Sequence, residues 1–229
     1  MFDLIWVGGA HLSNNIFDIC IKERLNLAPC YGTTETAAMI SSLKPIEFLN
    51  GFKNYGRKLK DINIKINDKG LIQIKSDRIG FKLQSTSKIK NFKDENGWWE
   101  SGDYGRLLTI EKNEYLQVMG RKDNAFQSGG ETIFPDLIKS KLNEFIFDQK
   151  IPIRDLKISK TEDKLWGYKF EVIINFQSDL NKKDINKSLY LLKQFSRNWP
   201  KHERPKKWSI VIDDSKFIDS INNTWKNSF

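Results

Sequence analysis

Tyr31, Gly32, Thr33, Thr34 and Glu35 occupy five consecutive positions, and together they could hold a nucleoside triphosphate with its magnesium ion. The aromatic ring offers a stacking surface, and the glycine permits close backbone approach. Two hydroxyls can hydrogen-bond phosphate oxygens, and the carboxylate can ligate a hard divalent cation. Three later stretches carry residues of the same kinds: Glu100-Ser101-Gly102-Asp103, Gly120-Arg121-Lys122-Asp123 and Gln127-Ser128-Gly129-Gly130-Glu131. Asp103, set among glycines ahead of a strand, is placed to accept two hydroxyl hydrogen bonds from a ribose. The plainer reading of Asp103 is the cap of a turn. Upstream, the apolar run Leu4 to Val7 ends in Gly8-Gly9-Ala10, where either a ligand approaches the backbone closely or the chain simply turns.

These residues need elements to position them, and the patterning supplies candidates. A strand over Leu4 to Val7, a glycine turn, a helix over Asn14 to Leu25 and a loop make a fragment of an α/β layer. Asn14 or Asn15 is expected to cap that helix, with Ile16, Phe17, Ile19, Cys20 and Leu25 on its buried face. A fully apolar first strand belongs inside a parallel sheet with both faces covered, so an uncovered apolar face around Ile5, Trp6 and Val7 is expected. From residue 45 the texture changes to short strands and turns. Alternation over Asn63 to Asn67 and Leu71 to Lys75, and again over Arg106 to Ile110 and Glu114 to Val118, reads as two hairpins. Trp98 and Trp99 read as packing residues. Beyond Arg121, residues 123–130 are loop-like, and Pro135 opens a helix through Phe145. Strands near Asp155 to Ser159 and Tyr168 to Phe176 precede a helix over Lys183 to Arg197, capped by Asn181. A short strand follows over Trp208 to Ile212. The expected organisation is an α/β piece (1–44), a β-rich piece (45–120) and a small α+β domain (121–229).

Composition sets outer bounds. The chain has 229 residues, 39% apolar and 29% charged, which is globular and large enough for real cores. No run approaches the ~20 apolar residues of a membrane span. The apolar start lacks a basic leader segment and is not read as a signal peptide. Cys20 and Cys30 are the two cysteines; they form no ligand motif and suit a reducing compartment, so a cytoplasmic location is expected. The two histidines lie far apart. The net charge of +9 comes mostly from scattered lysines with no basic-aromatic stripe. No nucleic-acid partner is therefore expected, although the positive field would attract polyanions.

Taken jointly, Tyr31 to Glu35, Ser101-Gly102-Asp103, Gly120 to Asp123, Ser128 to Glu131 and Ile133-Phe134-Pro135 resemble the C-terminal part of the acyl-adenylating superfamily. This superfamily comprises the acyl-CoA ligases and the nonribosomal adenylation domains. The stretch from Gly120 to Glu131 looks most like the o-succinylbenzoate–CoA ligases of menaquinone and phylloquinone synthesis. The resemblance implies the fold of that superfamily without its N-terminal part, and a two-step reaction. A carboxylic acid and ATP give an acyl-adenylate and pyrophosphate; coenzyme A then displaces AMP. Gly8, Gly9 and Ala10 would line the acyl and adenine pocket, and Tyr31, beside Gly32 and Thr33, would stack on adenine. Thr34 would bind phosphate and Glu35 would hold Mg2+. Asp103 would take the ribose hydroxyls and Arg121 would place a charge nearby. Asp123 would be the hinge of the small domain, and Gly129 and Gly130 would line the channel for the pantetheine arm.

Two departures from the family pattern bear on activity. No Ser/Thr/Gly-rich phosphate loop occurs in the sequence. Alignment on Trp225 puts Asn223-Thr224 where the family carries a glycine and the adenylation lysine, with Lys216 and Lys226 as neighbouring substitutes. Losing one such charge costs roughly 3 kcal/mol of transition-state stabilisation. The expectation is an acyl-CoA ligase portion that is inactive alone and needs the missing N-terminal half as partner. The alternative is a degenerate, non-catalytic module that binds a nucleotide or a partner enzyme.

Overall fold

The leading apolar run forms strand β1 (Ile5–Val7), followed by helix α1 (Asn14–Lys22) and strand β2 (Leu27–Gly32). These belong to a computed structural model that describes residues 2–10, 12–80, 82–84, 89–177 and 180–211. The chain divides into two units, Met1–Lys122 and Asp123–Phe229. Lys216, Asn223, Thr224, Trp225 and Lys226, which bear on the adenylation lysine, lie outside the described residues.

In the first unit β1 and β2 run parallel, with Val7 opposite Pro29. Strands β3 (Met39–Ser42) and β4 (Arg57–Lys58), separated by helix α2 (Pro45–Leu49), complete a sheet of order β1-β2-β3-β4. A second sheet has the order β10-β9-β6-β5, from β5 (Asn63–Ile66), β6 (Leu71–Lys75), β9 (Trp99–Ile110) and β10 (Asn113–Arg121). Strands β7 (Lys82–Gln84) and β8 (Ile89–Asn91) pair as a separate ribbon. Alternation puts Ile72 and Ile74 of β6 fully inside with Tyr31, Ile40, Ile62, Trp99 and Leu116. Burying each such aliphatic side chain is worth roughly 1.5–3 kcal/mol.

Both expected hairpins form, but the second is longer than its alternating core. Ser101, Gly102 and Asp103 lie inside β9 rather than in a turn before it. The glycines that read as turn punctuation are strand glycines. At Gly105 a Cβ would stand 2.6 Å from the Ile72 side chain, so the missing side chain lets the core close. Helix α1 also stops earlier than its apolar pattern, because Arg24 adopts a left-handed φ of 53° and Leu25 N–H turns back to the Cys20 carbonyl. Ser13, not Asn14 or Asn15, is its N-cap. Of the expected buried face, Phe17 and Cys20 are buried, whereas Ile16 and Ile19 are exposed. Trp6 on β1 is 51% exposed, while Ile5 and Val7 are half-buried. Trp99 is buried and meets Phe92 edge-on, so it packs as expected.

The second unit wraps a sheet of order β12-β11-β14-β13, with β15 (Lys207–Val211) added beside β14. Its other strands are β11 (Phe126–Ser128), β12 (Glu131–Ile133), β13 (Ile153–Asp163) and β14 (Gly167–Phe176). Part of the expected loop 123–130 is thus strand. Helix α3 (Pro135–Asp148) has its proline in the first turn, where the missing N–H costs nothing. Helix α4 (Lys182–Ser196) is capped by Asn181, whose side chain accepts from Asp184 N–H. Phe170, Val172 and Ile174 of β14 pack with Leu142 of α3 and Leu192 of α4 in one core.

Candidate functional site

Strand β2 delivers Tyr31 to the core of the first unit, and β9 brings Asp103 beside it. The Tyr31 hydroxyl donates to Asp103 Oδ2 at 2.5 Å. From the end of β10, Arg121 Nη1 reaches Asp103 Oδ1 and the Ser101 carbonyl, each at 3.4 Å. The Asp103 backbone is held as well: its N–H donates to Ser101 Oγ, which in turn donates to the Ile72 carbonyl. Asp103 is 6% exposed, and so deep a carboxylate is tolerated because a phenol and a guanidinium satisfy it. Burial first, then the Asp103 charge and the bond to it, hold the Tyr31 phenol protonated well above its ordinary range. Tyr55, edge-on to Tyr31, is pushed up to about 12 by burial and by the Asp103 charge.

The surrounding motif is built to a tight pattern. A Cβ on Gly32 would stand 2.2 Å from the Ala38 carbonyl oxygen and 2.6 Å from Met39 Cα. The close approach this glycine permits is therefore that of strand β3. Thr33 then caps a single 3-10 turn over Thr34–Thr36, with Thr36 Oγ1 accepting from Thr33 N–H. Thr34 is exposed and Glu35 half-buried. Among the described residues no ion pair engages Glu35, and Thr33 Oγ1 is buried without a partner. Gly8, Gly9 and Ala10 follow β1 and are exposed; Gly8 lies against Cys30, where a Cβ would meet Sγ at 2.9 Å. Gly8 thus sits against Cys30, the chain neighbour of Tyr31, near the carboxyl ends of the two parallel strands, the end at which such sheets bind ligands.

Asp103 therefore joins Tyr31 to Arg121, and the turn carrying Thr34 and Glu35 follows Tyr31 along the chain. Tyr31 is 9% exposed as a whole residue. Two residues that the sequence left without a role now have one: Ser101 orients Asp103, and Tyr55 packs on Tyr31. Ser101 was legible as part of the serine-glycine-aspartate motif, whereas Tyr55 gave no signal.

The second unit carries its own site. Gly129 has φ +62°, and a Cβ there would stand 2.4 Å from the Trp166 ring; its N–H donates to the Trp166 carbonyl. Gly130 has φ +88° with open space around its Cβ position. Beside them lies a cavity of about 380 Å³ lined by Ser128, Trp166, Lys169, Phe170, Lys201, His202, Arg204, Pro205 and Lys206. No lining residue is acidic. The hairpin tip that presents Trp166 is fixed by Asp163, whose Oδ1 accepts from Leu165 and Trp166 N–H at 3.0 Å each. The Lys169 hydrogen bond holds the Asp163 carboxyl below the usual carboxylate range. This basic pocket escaped the sequence reading because its lysines come from β14 and from the segment 201–206, and they resembled background charge. Asp123 is exposed at the start of the unit.

No protein-family model matches the chain. The 2-succinylbenzoate–CoA ligase of Listeria monocytogenes is 30% identical over 163 residues, covering 71% of this chain and 33% of that enzyme. The corresponding ligase of Staphylococcus epidermidis is 24% identical over 212 residues, covering 90% of this chain and 42% of its own length. The chain thus spans about a third to two fifths of the curated relatives it matches. Among solved structures, o-succinylbenzoate CoA synthetase from Bacillus subtilis, in complex with its acyl-adenylate intermediate, superposes with a TM-score of 0.72 at 22% identity. That match covers 91% of this chain and 42% of the synthetase. An anthranilate CoA ligase in complex with anthranoyl-AMP gives 0.67 at 15% identity. The chain resembles the C-terminal portion of the o-succinylbenzoate–CoA ligases, as its motifs imply, and its fold is that of the acyl-adenylating enzymes.

Proposed function

We propose that this chain is the C-terminal portion of an ATP-dependent, AMP-forming acyl-CoA ligase of o-succinylbenzoate type. Its first unit would bind the adenylate and its second coenzyme A. The observation that carries the reading is the contact of Tyr31, Asp103 and Arg121, residues distant in sequence whose types suit a nucleoside monophosphate. Asp103 would accept the ribose hydroxyls while Arg121 neutralises its charge and faces the phosphate. Thr34, exposed on its turn, would donate to a phosphate oxygen. Glu35 fits a magnesium ion, which takes one or two carboxylates and completes its octahedron with phosphate oxygens and water. When bound, the ion would draw off charge from the transferring phosphates.

In the second unit the basic pocket beside Gly129 and Trp166 fits the phosphates of coenzyme A, with Lys201, Arg204 and Lys206 as charged partners. Gly130, whose Cβ position is open, would leave room for the pantetheine arm. Asp123 would serve as hinge between the half-reactions. The carboxylic acid would be a small aromatic or related acid of the kind its relatives use, in a soluble cytoplasmic pathway of quinone synthesis.

Residues 1–229 contain no phosphate loop, so the chain alone should not activate a carboxylate at a useful rate. The partner would be a polypeptide carrying that loop and the remaining parallel strands, seated against β1. The test is ATP–pyrophosphate exchange with the upstream half supplied from a relative. Exchange that requires both pieces supports the ligase reading. AMP binding with no exchange under any condition would favour the alternative, a nucleotide-binding module without catalysis, for which the Asn223-Thr224 pair in place of glycine-lysine speaks.

A further inference from the structure

We infer that Arg78 is a positioning residue for Glu35: forked on Asp61, it braces the turn after β6 against the corner that carries Glu35. The inference rests on the reading of Glu35 as a metal ligand and adds the residues that hold it in place. The corner runs from Thr33 to Ala38, between β2 and β3. Thr36, fully buried, ties its two ends through one hydroxyl, which accepts from Thr33 N–H and donates to the Ala38 carbonyl. Ala37 stands at φ 60°, a left-handed conformation that a residue with a Cβ keeps only where its surroundings impose it. Neither feature holds Glu35 itself.

The turn over Ser76 to Gly80 does hold it. Gly80 N–H donates to the Glu35 carbonyl at 3.0 Å. Two residues earlier, Arg78 grips Asp61 with both edges of its fork, Nε to Oδ2 at 2.7 Å and Nη2 to Oδ1 at 3.0 Å. Its Nη1 also reaches the carbonyl of Met39 at 3.4 Å, and Met39 opens β3 just past the corner. One turn therefore bonds the corner both at Glu35 and at its exit. The turn is itself closed by Ser76, whose Oγ accepts from Arg78 N–H at 3.2 Å. Ile79, 1% exposed, seats it in the core with Ile40 and Ile62. Exposed ion pairs contribute little as a rule, but a bidentate arginine–carboxylate fork is the exception. The planar fork also fixes a direction, which the point charge of a lysine does not. A carboxylate whose backbone is already fixed loses less freedom when an ion binds, so the brace acts on metal affinity.

The experiment titrates the 229-residue chain with ATP in excess Mg2+, with ATP in excess chelator, and with AMP, by calorimetry. The ratio of the two ATP affinities reports the contribution of the ion. In wild type, Mg2+ should tighten ATP binding about tenfold, within the usual range of coupling between two ligands. Arg78→Ala and Asp61→Asn should each lose most of that gain, the scale on which partners that orient a metal ligand act, and leave AMP affinity unchanged. Arg78→Lys, which keeps the charge but not the fork, should fail to restore it. Hydrogen exchange at the Gly80 amide should speed up in Arg78→Ala, while thermal unfolding checks that the fold persists. In Glu35→Gln, adding Arg78→Ala should cost nothing further. If Arg78→Ala keeps the wild-type ratio, if Arg78→Lys restores it in full, or if AMP and ATP affinities fall together, the positioning role is overturned while Glu35 keeps its own. If Mg2+ does not tighten ATP binding by wild type, or if Glu35→Gln leaves the ratio unchanged, the metal reading of Glu35 fails and takes this inference with it.

Discussion

The Arg121 guanidinium lies over Gly102, with Nη2 3.6 Å from the position a Cβ would occupy there. Gly102 has φ +77°, and its carbonyl accepts from Lys122 N–H at 2.8 Å. The motif that carries Asp103 thus also makes the bed for the arginine that neutralises it. Gly102→Ala forces a left-handed residue, costing roughly 1–2 kcal/mol, beneath the guanidinium of Arg121. Urea unfolding should register the loss, and AMP affinity should fall further than the stability change alone accounts for.

Gly129→Ala separates the two units. The left-handed φ and the 2.4 Å approach to Trp166 both oppose a methyl, so the Trp166 hairpin tip must move. Coenzyme A binding should drop at least tenfold, while AMP binding in the first unit changes less than twofold. Titration calorimetry with each ligand checks both halves of the prediction.

The basic pocket makes a different demand. Arg204→Ala and Lys206→Ala should each weaken coenzyme A binding about tenfold, the worth of a charge-assisted hydrogen bond. The wild-type affinity should fall steeply with added salt. Dephospho-coenzyme A, lacking one phosphate, should show a shallower salt slope by fluorescence or calorimetric titration.

At alkaline pH the buried phenols govern stability. Tyr55 is pushed from 10.0 up to about 12, so above pH ~10 the unfolded chain releases a proton that the folded chain keeps. Stability therefore falls as pH rises from about 10 toward 12, by up to about 1.4 kcal/mol per pH unit for this group. Denaturant unfolding at pH 9 and 11 should show a smaller loss in Tyr55→Phe than in wild type.

Much of this architecture was legible because period-two alternation is unambiguous. The hairpin of β5 and β6 follows from Ile64, Ile66, Ile72 and Ile74, and α4 from Asn181 and its apolar face. What misled was punctuation. Gly102 and Gly105 look like turn residues, yet they lie within β9, where one bends the backbone and the other admits Ile72. Helix α1 ended early because Arg24 took a conformation that no local preference announces. At the site, residue types were readable but contacts were not. The depth of Tyr31 comes from long-range packing with residues of β6 and β9, which sequence does not report, and the lysines of the second unit read as background until the fold gathered them.

Exposure near β1 also has a measurable consequence. Trp6, Leu4, Ile16 and Ile19 are each at least 40% exposed, and apolar side chains held in water favour association. The isolated chain should self-associate at high concentration. Trp6→Lys should reduce the association seen by light scattering and leave AMP binding unaltered.

The central claim, that Tyr31, Asp103 and Arg121 form one nucleotide floor, is tested most directly by calorimetric titration of AMP into wild type, Asp103→Asn and Arg121→Ala. The account predicts saturable binding by wild type and a loss of at least about tenfold in each variant. Binding that survives unchanged in both variants, or a wild-type chain that takes up no AMP, would contradict it.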